Sequence, residues 1–293
     1  MRKITLFVFV FMIFSLSAIE QTWNFDQPDS SLIFYQYGKH YEPLIDHNIC
    51  YLLAGHRQDH QKNVVVFPKL DNKKYADVEL DWNMFITLGA EGCGVAFLNS
   101  DIFSADSLNL NLDKWQEPNI EGSFAVGFDI CDPPTTLWFG SDGNFYDRPQ
   151  REISLHWNGK EIKKILSPVE FRSDYEADDF KKFYLKIHQV IGGSEITLKI
   201  EDEIVFDKFF IAEMQSYPVR LAMGGQTSEQ TTSLLLGDIH LKFINKAIEM
   251  KQPIHVQAVD KQAIFVDFRE TQHQVVFPEF QDQIGRVIMS LEM

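Results

Sequence analysis

Hydrophobic and polar residues alternate along much of this chain. In the segment 76–88, apolar side chains recur at every second position, namely Val78, Leu80, Trp82, Met84 and Ile86. Segments 124–128, 153–157 and 196–200 alternate in the same way. A period of two places successive side chains on opposite faces of an extended chain, so these segments predict strands that are buried on one face.

A dozen or more short strands are predicted between residues 22 and 245. Turn sequences such as Asn158-Gly159 and Gly192-Gly193 separate them. The alternating segment 107–112 is also predicted as a strand, and residues 209–214 are the one predicted helical turn. Many short strands with almost no helical periodicity indicate an all-β protein, either a sandwich or a barrel.

The order of several short motifs resembles the concanavalin A-like lectin and glucanase superfamily. In chain order these motifs are AEGCGVAFLN, SFAVGFD, an acidic loop, ISLHWNG, FYLKIHQVIGGSEITLKIED, PVRLAMGGQT and GDIHLKF. The resemblance covers residues 22–245 and implies an all-β, double-sheet jelly-roll sandwich. We therefore predict one jelly-roll domain over residues 19–245.

The two ends of the chain carry different signals. Arg2 and Lys3, the apolar run 6–14 and the small residues that follow it predict a secretory signal peptide over residues 1–18. The expected location is secreted, periplasmic or at the cell surface, with no membrane span after cleavage. Residues 246–253 interrupt the strand pattern and are predicted to be a linker.

The C-terminal residues 254–293 are predicted to form a short β-rich extension. Within them, the sequence HQVVFPEFQDQIGRVIMSLEM resembles the opening of the N-terminal domain of peptide-N-glycosidase F. The resemblance implies a partial domain of that type. The chain ends before the segments that carry that family's catalytic acids, so no catalytic residue is assigned from it.

The net charge of the chain limits the classes of molecule that it is expected to bind. The chain has 42 acidic and 27 basic residues, which gives a formal net charge of −15. Such a surface repels phosphate backbones, so nucleic acid is not expected as a partner. Glycans, glycoproteins and cations such as calcium remain compatible with it.

Three cysteines allow at most one disulfide in an oxidising compartment: Cys50, Cys93 and Cys131. Cys93 and Cys131 both lie near the edge of a predicted strand and are the preferred pair. Three buried free thiols are the alternative.

The resemblance to L-type lectins implies a carbohydrate site. In those proteins a carboxylate after an A-x-G hairpin binds a sugar hydroxyl, and Glu91 occupies that place, where the family usually has Asp. A late glycine-rich loop offers backbone N–H groups to the sugar, and Gly224 and Gly225 match it. In the loop after residue 129, Asn144 and the aromatic residues Phe145 and Trp138 are the further candidate sugar contacts, since aromatic rings stack on pyranose faces.

The same loop implies a metal site. Asp129 ends the strand, and Asp142 and Asn144 follow in the loop; carboxylate and amide oxygens are ligands that calcium prefers. The family's transition-metal glutamate is replaced by Gly127, and its histidine falls near Glu152. The expectation is therefore a single calcium ion, with the alternative that Asp142 and Asn144 only form turns.

Catalytic patterns are not found in the sequence. Jelly-roll glycanases need two acids in the pattern E-x-D-x-x-E, and Glu79-Leu80-Asp81 lacks the second glutamate. No G-x-S-x-G motif is present. We predict a secreted, non-catalytic carbohydrate-binding module. The alternatives are a truncated or divergent glycan-processing enzyme, either a glycan-releasing amidase or a glycoside hydrolase, and a structural or adhesion sandwich that binds no sugar.

Overall fold

A computed structural model describes residues 18–246 except 40, 55–59, 88–90, 104–108, 131–135, 140–144, 149–150, 174–178 and 228–231. For residues 136–139, 145–148 and 245–246 it describes the backbone alone. Within these residues the chain forms β-strands and no helix. The strands are β1 Ala18–Trp23, β2 Ile33–Gln36, β3 Leu44–Asp46, β4 Ile49–Leu53, β5 Lys62–Val66, β6 Tyr75–Ile86, β7 Gly92–Asn99, β8 Phe124–Asp129, β9 Thr136–Phe139, β10 Phe145–Arg148, β11 Glu152–Trp157, β12 Lys160–Leu166, β13 Lys181–Val190, β14 Gly193–Ile200, β15 Glu203–Ala212, β16 Val219–Gln226 and β17 Leu234–Lys246.

The strands form two large antiparallel sheets and one small hairpin, β9–β10. Sheet A has eight strands in the order β15-β14-β13-β6-β17-β4-β3, and β1 pairs with β17. Sheet B has seven strands in the order β12-β11-β8-β7-β16-β5-β2. Strands distant in sequence pair at the centre of each sheet, β6 with β17 and β7 with β16. The predicted all-β, double-sheet jelly roll is confirmed.

One apolar core fills the space between the sheets. The alternating residues of β6 point into it, and Trp82 is its largest fully buried side chain. The Trp82 ring stacks on Phe183 of sheet A with centroids 4.9 Å apart and meets Phe128 of sheet B edge-on at 6.3 Å. Aromatic contacts of this kind add to the free energy of burial, so they hold the two sheets together.

A segment without strand structure covers the outer face of sheet B. We call residues 109–122, which lead into β8, the crossing segment. Gly224, Gly94 and Gly127 lie side by side on β16, β7 and β8. A Cβ atom at Gly224 would overlap the Trp115 ring, and Cβ atoms at the other two would overlap backbone oxygens of the crossing segment. The glycines therefore allow the segment to lie directly on the sheet.

Two local predictions were wrong. Residues 109–112 of the predicted strand 107–112 form no strand, and residues 104–108 lie outside the described part. Leu110 is instead buried on the outer face of sheet B, so its alternation with polar neighbours reflects a loop packed on a sheet. The predicted helical turn 209–214 is mostly strand, because β15 continues to Ala212 and Phe209 pairs with Ile196 of β14.

The ends of the described chain are paired strands. Ala18 of β1 lies opposite Ile244 of β17. Nearly all of the predicted signal peptide and all of the extension 254–293 lie outside the described residues, so both stay predictions, as do the domain boundaries. Of the residues described, none belongs to a helix that could cross a membrane.

Candidate functional site

The ends of three adjacent strands of sheet B meet at one edge of the sandwich. Gly92, the first residue of β7, lies opposite Asp129 at the end of β8 and opposite Gln226 at the end of β16. The backbone N–H of Ile130 donates to the carbonyl oxygen of Glu91 at 3.1 Å. We call Glu91, Asp129, Ile130 and Gln226 the rim. The structure thus brings Glu91 and Asp129 together at the ends of neighbouring strands.

The Glu91 carboxylate is held in one orientation by a hydrogen-bond chain. The side-chain amide of Gln226 donates to Oε2 of Glu91. The backbone N–H of Trp115 donates in turn to Oε1 of Gln226 at 3.2 Å. Oε1 of Glu91 accepts no hydrogen bond from a described residue. A half-buried carboxylate with one oxygen anchored, and with the other bonded to no described residue, is a preorganised acceptor for a ligand hydroxyl.

The two predicted glycines lie close to the rim but inside a fully paired strand. Gly224 and Gly225 both pair with β7 on one side and β5 on the other. The Trp115 ring covers Gly224, and a Cβ atom at Gly225 would lie 2.5 Å from a methyl group of Leu234. Both residues have a packing role here. The expectation that they offer backbone N–H groups to a sugar finds no support in this arrangement.

The predicted loop residues fall mostly outside the described part of the chain. Asp142 and Asn144 are not described, and only the backbone of Trp138 and Phe145 is. Trp138 lies on β9 opposite Tyr146, and Phe145 lies on β10 opposite Phe139. The predicted sugar contacts of these residues therefore stay predictions.

Ser154, His156 and Asn119 form a hydrogen-bonded chain under the crossing segment. The distances are 2.7 Å from His156 Nε2 to Ser154 Oγ and 2.8 Å from His156 Nδ1 to Asn119 Oδ1. Nucleophile, base and orienting group have this order in hydrolases. Here Ser154 and His156 are 2% and 1% exposed, so no substrate reaches them. Burial lowers the pKa of His156 to about 4, and the neutral ring anchors the crossing segment.

Solved structures share this fold. The VIP36 exoplasmic/lumenal domain in its Ca2+/Man3GlcNAc-bound form matches with a TM-score of 0.52 and 11% identity, over 79% of this chain and 90% of that chain. Its Ca2+/Man2-bound form matches with a TM-score of 0.51 and 11% identity, over 79% and 88%. The described part of this chain has the same all-β, double-sheet jelly-roll fold as these domains. At this identity the likeness shows the fold alone. No protein-family model matches the sequence, and no curated protein does.

Two residues of the hydrogen-bond chain that holds the Glu91 carboxylate were missed as functional candidates. Gln226 directly follows Gly225, and a polar side chain at the end of an otherwise apolar strand was the available signal. Trp115 is fully buried, and its backbone N–H orients the side chain of Gln226.

The metal and disulfide predictions depend on residues that are not described. Among the described residues, no group of three or more His, Cys, Asp or Glu side chains is placed to hold a metal ion. Asp129 is buried at the end of β8, while its predicted calcium partners Asp142 and Asn144 lie outside the described chain. The single calcium ion stays a prediction.

Cys50 and Cys93 are buried free thiols in this jelly roll. Burial raises the pKa of both, that of Cys50 to about 12. The Cys93 thiol lies 3.6 Å from the sulfur of Met84. Cys131 lies outside the described residues. Because Cys93 is a free thiol, the predicted Cys93–Cys131 disulfide is not formed in this structure.

Proposed function

We propose that this protein is an exported carbohydrate-binding module that recognises a glycan or glycoprotein at the rim and catalyses no reaction. The observation that carries the proposal is the Glu91 carboxylate, which Gln226 and the Trp115 backbone hold at the start of β7. A carboxylate fixed in this way accepts hydrogen bonds from sugar hydroxyls without a further ordering cost.

The fold supports a sugar as the ligand. The VIP36 domain, which shares this jelly roll, has been solved with Man3GlcNAc and with Man2 bound. In our proposal the loop after Asp129 completes the site. Asn144 contributes a polar contact and Phe145 and Trp138 contribute apolar faces for the sugar ring. Asp129, Asp142 and Asn144 hold one calcium ion that orders the loop.

The outer face of sheet B supports a module without catalysis. The crossing segment covers this face with apolar side chains, among them Leu110, Trp115 and Ile120. A polysaccharide cleft across the sheet would need that space and a pair of carboxylates within it. The described carboxylates that alternate along β6, Asp77, Glu79 and Asp81, lie on sheet A. Lys186 lies 3.6 Å from Asp77 and 2.9 Å from Glu79 there.

A glycan array with purified protein tests the proposal. We compare the wild type, Glu91→Ala and Glu91→Gln, each with calcium and with a chelator. The wild type should bind a defined set of glycans, and Glu91→Ala should weaken binding at least about tenfold because a charge-assisted hydrogen bond is lost. Glu79→Gln, which removes an acid from the outer face of sheet A, is the matched control and should bind as the wild type does.

Other outcomes of these experiments would favour a different function. Absence of binding at high protein concentration would favour a structural or adhesion module, whereas equal binding by the wild type and Glu91→Ala would show that the sugar binds away from Glu91. Release of glycan from a glycoprotein, followed by mass spectrometry, would favour the enzyme related to peptide-N-glycosidase F that the C-terminal resemblance suggests.

A further inference from the structure

Lys62 lies beside the rim on the outer face of sheet B. It is the first residue of β5 and pairs with Gln226 of β16. Residues directly opposite each other in an antiparallel pair share one face of the sheet, with Cβ atoms about 5 Å apart. The Gln226 side chain meets the crossing segment on that face, and the half-buried Lys62 side chain reaches the same segment. Lys62 is therefore a direct neighbour of the residue that holds Glu91.

The Lys62 ammonium binds two consecutive carbonyl groups of the crossing segment. Its Nζ donates to the carbonyl oxygen of Leu112 at 2.6 Å and to that of Asp113 at 3.4 Å. Hydrogen bonds from a charged donor are shorter and stronger than those between neutral groups. In the described part of the chain no other side chain donates to these two oxygens. The ammonium thus ties a stretch of loop backbone to β5.

The two carbonyl groups come immediately before the N–H group that acts on the rim. They belong to successive peptide units, and the next unit carries the N–H of Trp115. Because each peptide unit is planar, only a few backbone torsions separate the fixed carbonyls from this N–H. The same N–H donates to Oε1 of Gln226 at 3.2 Å. Lys62 therefore limits the orientations of the donor that holds Gln226.

Other attachments of the crossing segment lie farther along the backbone or act through a side chain. The Tyr37 hydroxyl accepts from the backbone N–H of Leu110 at 3.1 Å. Lys164 pairs with the carboxylate of Glu117 at 3.1 Å, and its strand β12 lies at the edge of sheet B away from β5. The hold of Lys164 on the backbone passes through the rotatable bonds of Glu117. Lys62 is thus the attachment that acts on the backbone next to Trp115.

We propose that Lys62 is a positioning residue of the glycan site and controls its affinity by fixing the crossing segment next to Trp115. This inference rests on the proposed function and concerns the regulation of the same site. Lys62 acts on Glu91 through Trp115 and Gln226, without a contact to the sugar. A carboxylate that is ordered in advance binds a hydroxyl more tightly than one that must be ordered on binding.

Hydrogen exchange at the Trp115 backbone N–H, followed by NMR on the full chain without sugar, tests the positioning step. In the wild type this N–H should exchange slowly, because it is hydrogen-bonded and its residue is buried. Lys62→Met keeps an apolar side chain and loses the ammonium, so exchange should become at least about tenfold faster. With no sugar present, the result does not depend on glycan binding.

Glycan affinity tests the consequence at the rim. Lys62→Met should bind the glycans selected by the wild type about threefold to tenfold more weakly, which corresponds to ordering one side chain on binding. Lys62→Arg keeps a charged donor and should recover both the slow exchange at Trp115 and the affinity. If Lys62→Met does not fold by circular dichroism, Lys62→Gln, which removes the charge and shortens the side chain, replaces it with the same expectations.

Lys164→Met is the matched control. It also removes one positive charge and one attachment of the crossing segment, that of Glu117. Its melting temperature should fall as that of Lys62→Met does. Exchange at the Trp115 N–H and glycan affinity should nevertheless stay within about twofold of the wild-type values, because the backbone before Trp115 is still tied to β5. A merely structural role of Lys62 would lower the melting temperature of both variants and the affinity of neither.

Three results would overturn the proposal. One is a folded Lys62→Met variant whose Trp115 N–H exchanges as slowly as that of the wild type. Another is an equal loss of glycan affinity in Lys62→Met and Lys164→Met, which general loosening of the segment would explain. The third is a wild type that binds no glycan; that result rejects the proposed function itself, and it is recognised separately because the exchange experiment uses no sugar.

Discussion

The outer faces of the two sheets differ in their side chains and in their exposure to solvent. Sheet A presents charged side chains to solvent: Asp77 faces His188 across the β6–β13 pair, and Lys186 lies 2.9 Å from Glu79. The corresponding face of sheet B carries small residues, centred on the glycine row of β16, β7 and β8, and the crossing segment covers them. One sheet is therefore buried on one face and the other on both.

The strands of the two sheets show this difference as two kinds of alternation in their side chains. In β6 of sheet A, apolar and charged residues alternate. In β7 of sheet B, small residues alternate with large ones: Gly94 and Ala96 face the crossing segment, while Val95 and Phe97 face the core. Alternation of size rather than polarity indicates a strand with a close neighbour on each face.

The largest expected effect comes from removing the side chain that covers sheet B. Trp115→Ala should lower the free energy of unfolding by about 3–5 kcal/mol, because a fully buried indole leaves a cavity over Gly224. Urea denaturation followed by circular dichroism measures it. Lys186→Met on the outer face of sheet A breaks half-exposed ion pairs and should cost less than about 1 kcal/mol. Similar costs for the two variants would remove the distinction between the faces.

The second prediction concerns the pH dependence of stability. Burial lowers the pKa of His156 from 6.5 to about 4 in the folded protein, Glu117 acts against that shift, and Lys164 adds to it. The unfolded chain therefore takes up a proton at higher pH than the folded chain. The stabilisation by neutral His156 is complete above pH 6.5 and is lost as the pH falls to 4, a change of about 3 kcal/mol.

Variants at two histidines isolate this contribution. The free energy of unfolding of His156→Gln, measured by urea denaturation from pH 7 to pH 4, should fall by about 3 kcal/mol less than that of the wild type. His188→Gln on the exposed face of sheet A should keep the wild-type pH dependence around His156. A His156→Gln variant with an unchanged pH profile would show that the crossing segment does not keep this ring out of water.

The smallest expected effect tests the glycine row. A methyl group at Gly224 would overlap the Trp115 ring, so Gly224→Ala should lower the free energy of unfolding by about 1–3 kcal/mol. Gly237 of sheet A is the matched control. A Cβ atom there would lie 3.1 Å from the Cβ atom of Asn83, and Gly237→Ala should change the same quantity by less than about 1 kcal/mol. Equal tolerance at both glycines would contradict a close approach of the crossing segment.

The candidate site could be predicted only in part. Glu91 became a candidate through a motif that resembles lectins, and its role in sugar binding stays a prediction. Its partner Gln226 is 135 residues away in sequence, and no local pattern connects the two.

The sequence by itself determined the strands, their alternation and the class of fold, because side-chain periodicity is a local consequence of an extended backbone. Tertiary structure decided which sheet is covered and what covers it. Leu110 lies in a segment that alternates as a strand does, yet it packs on sheet B as part of a loop. Its placement depends on a glycine row assembled from three strands, and that row exists only once β7, β8 and β16 have paired.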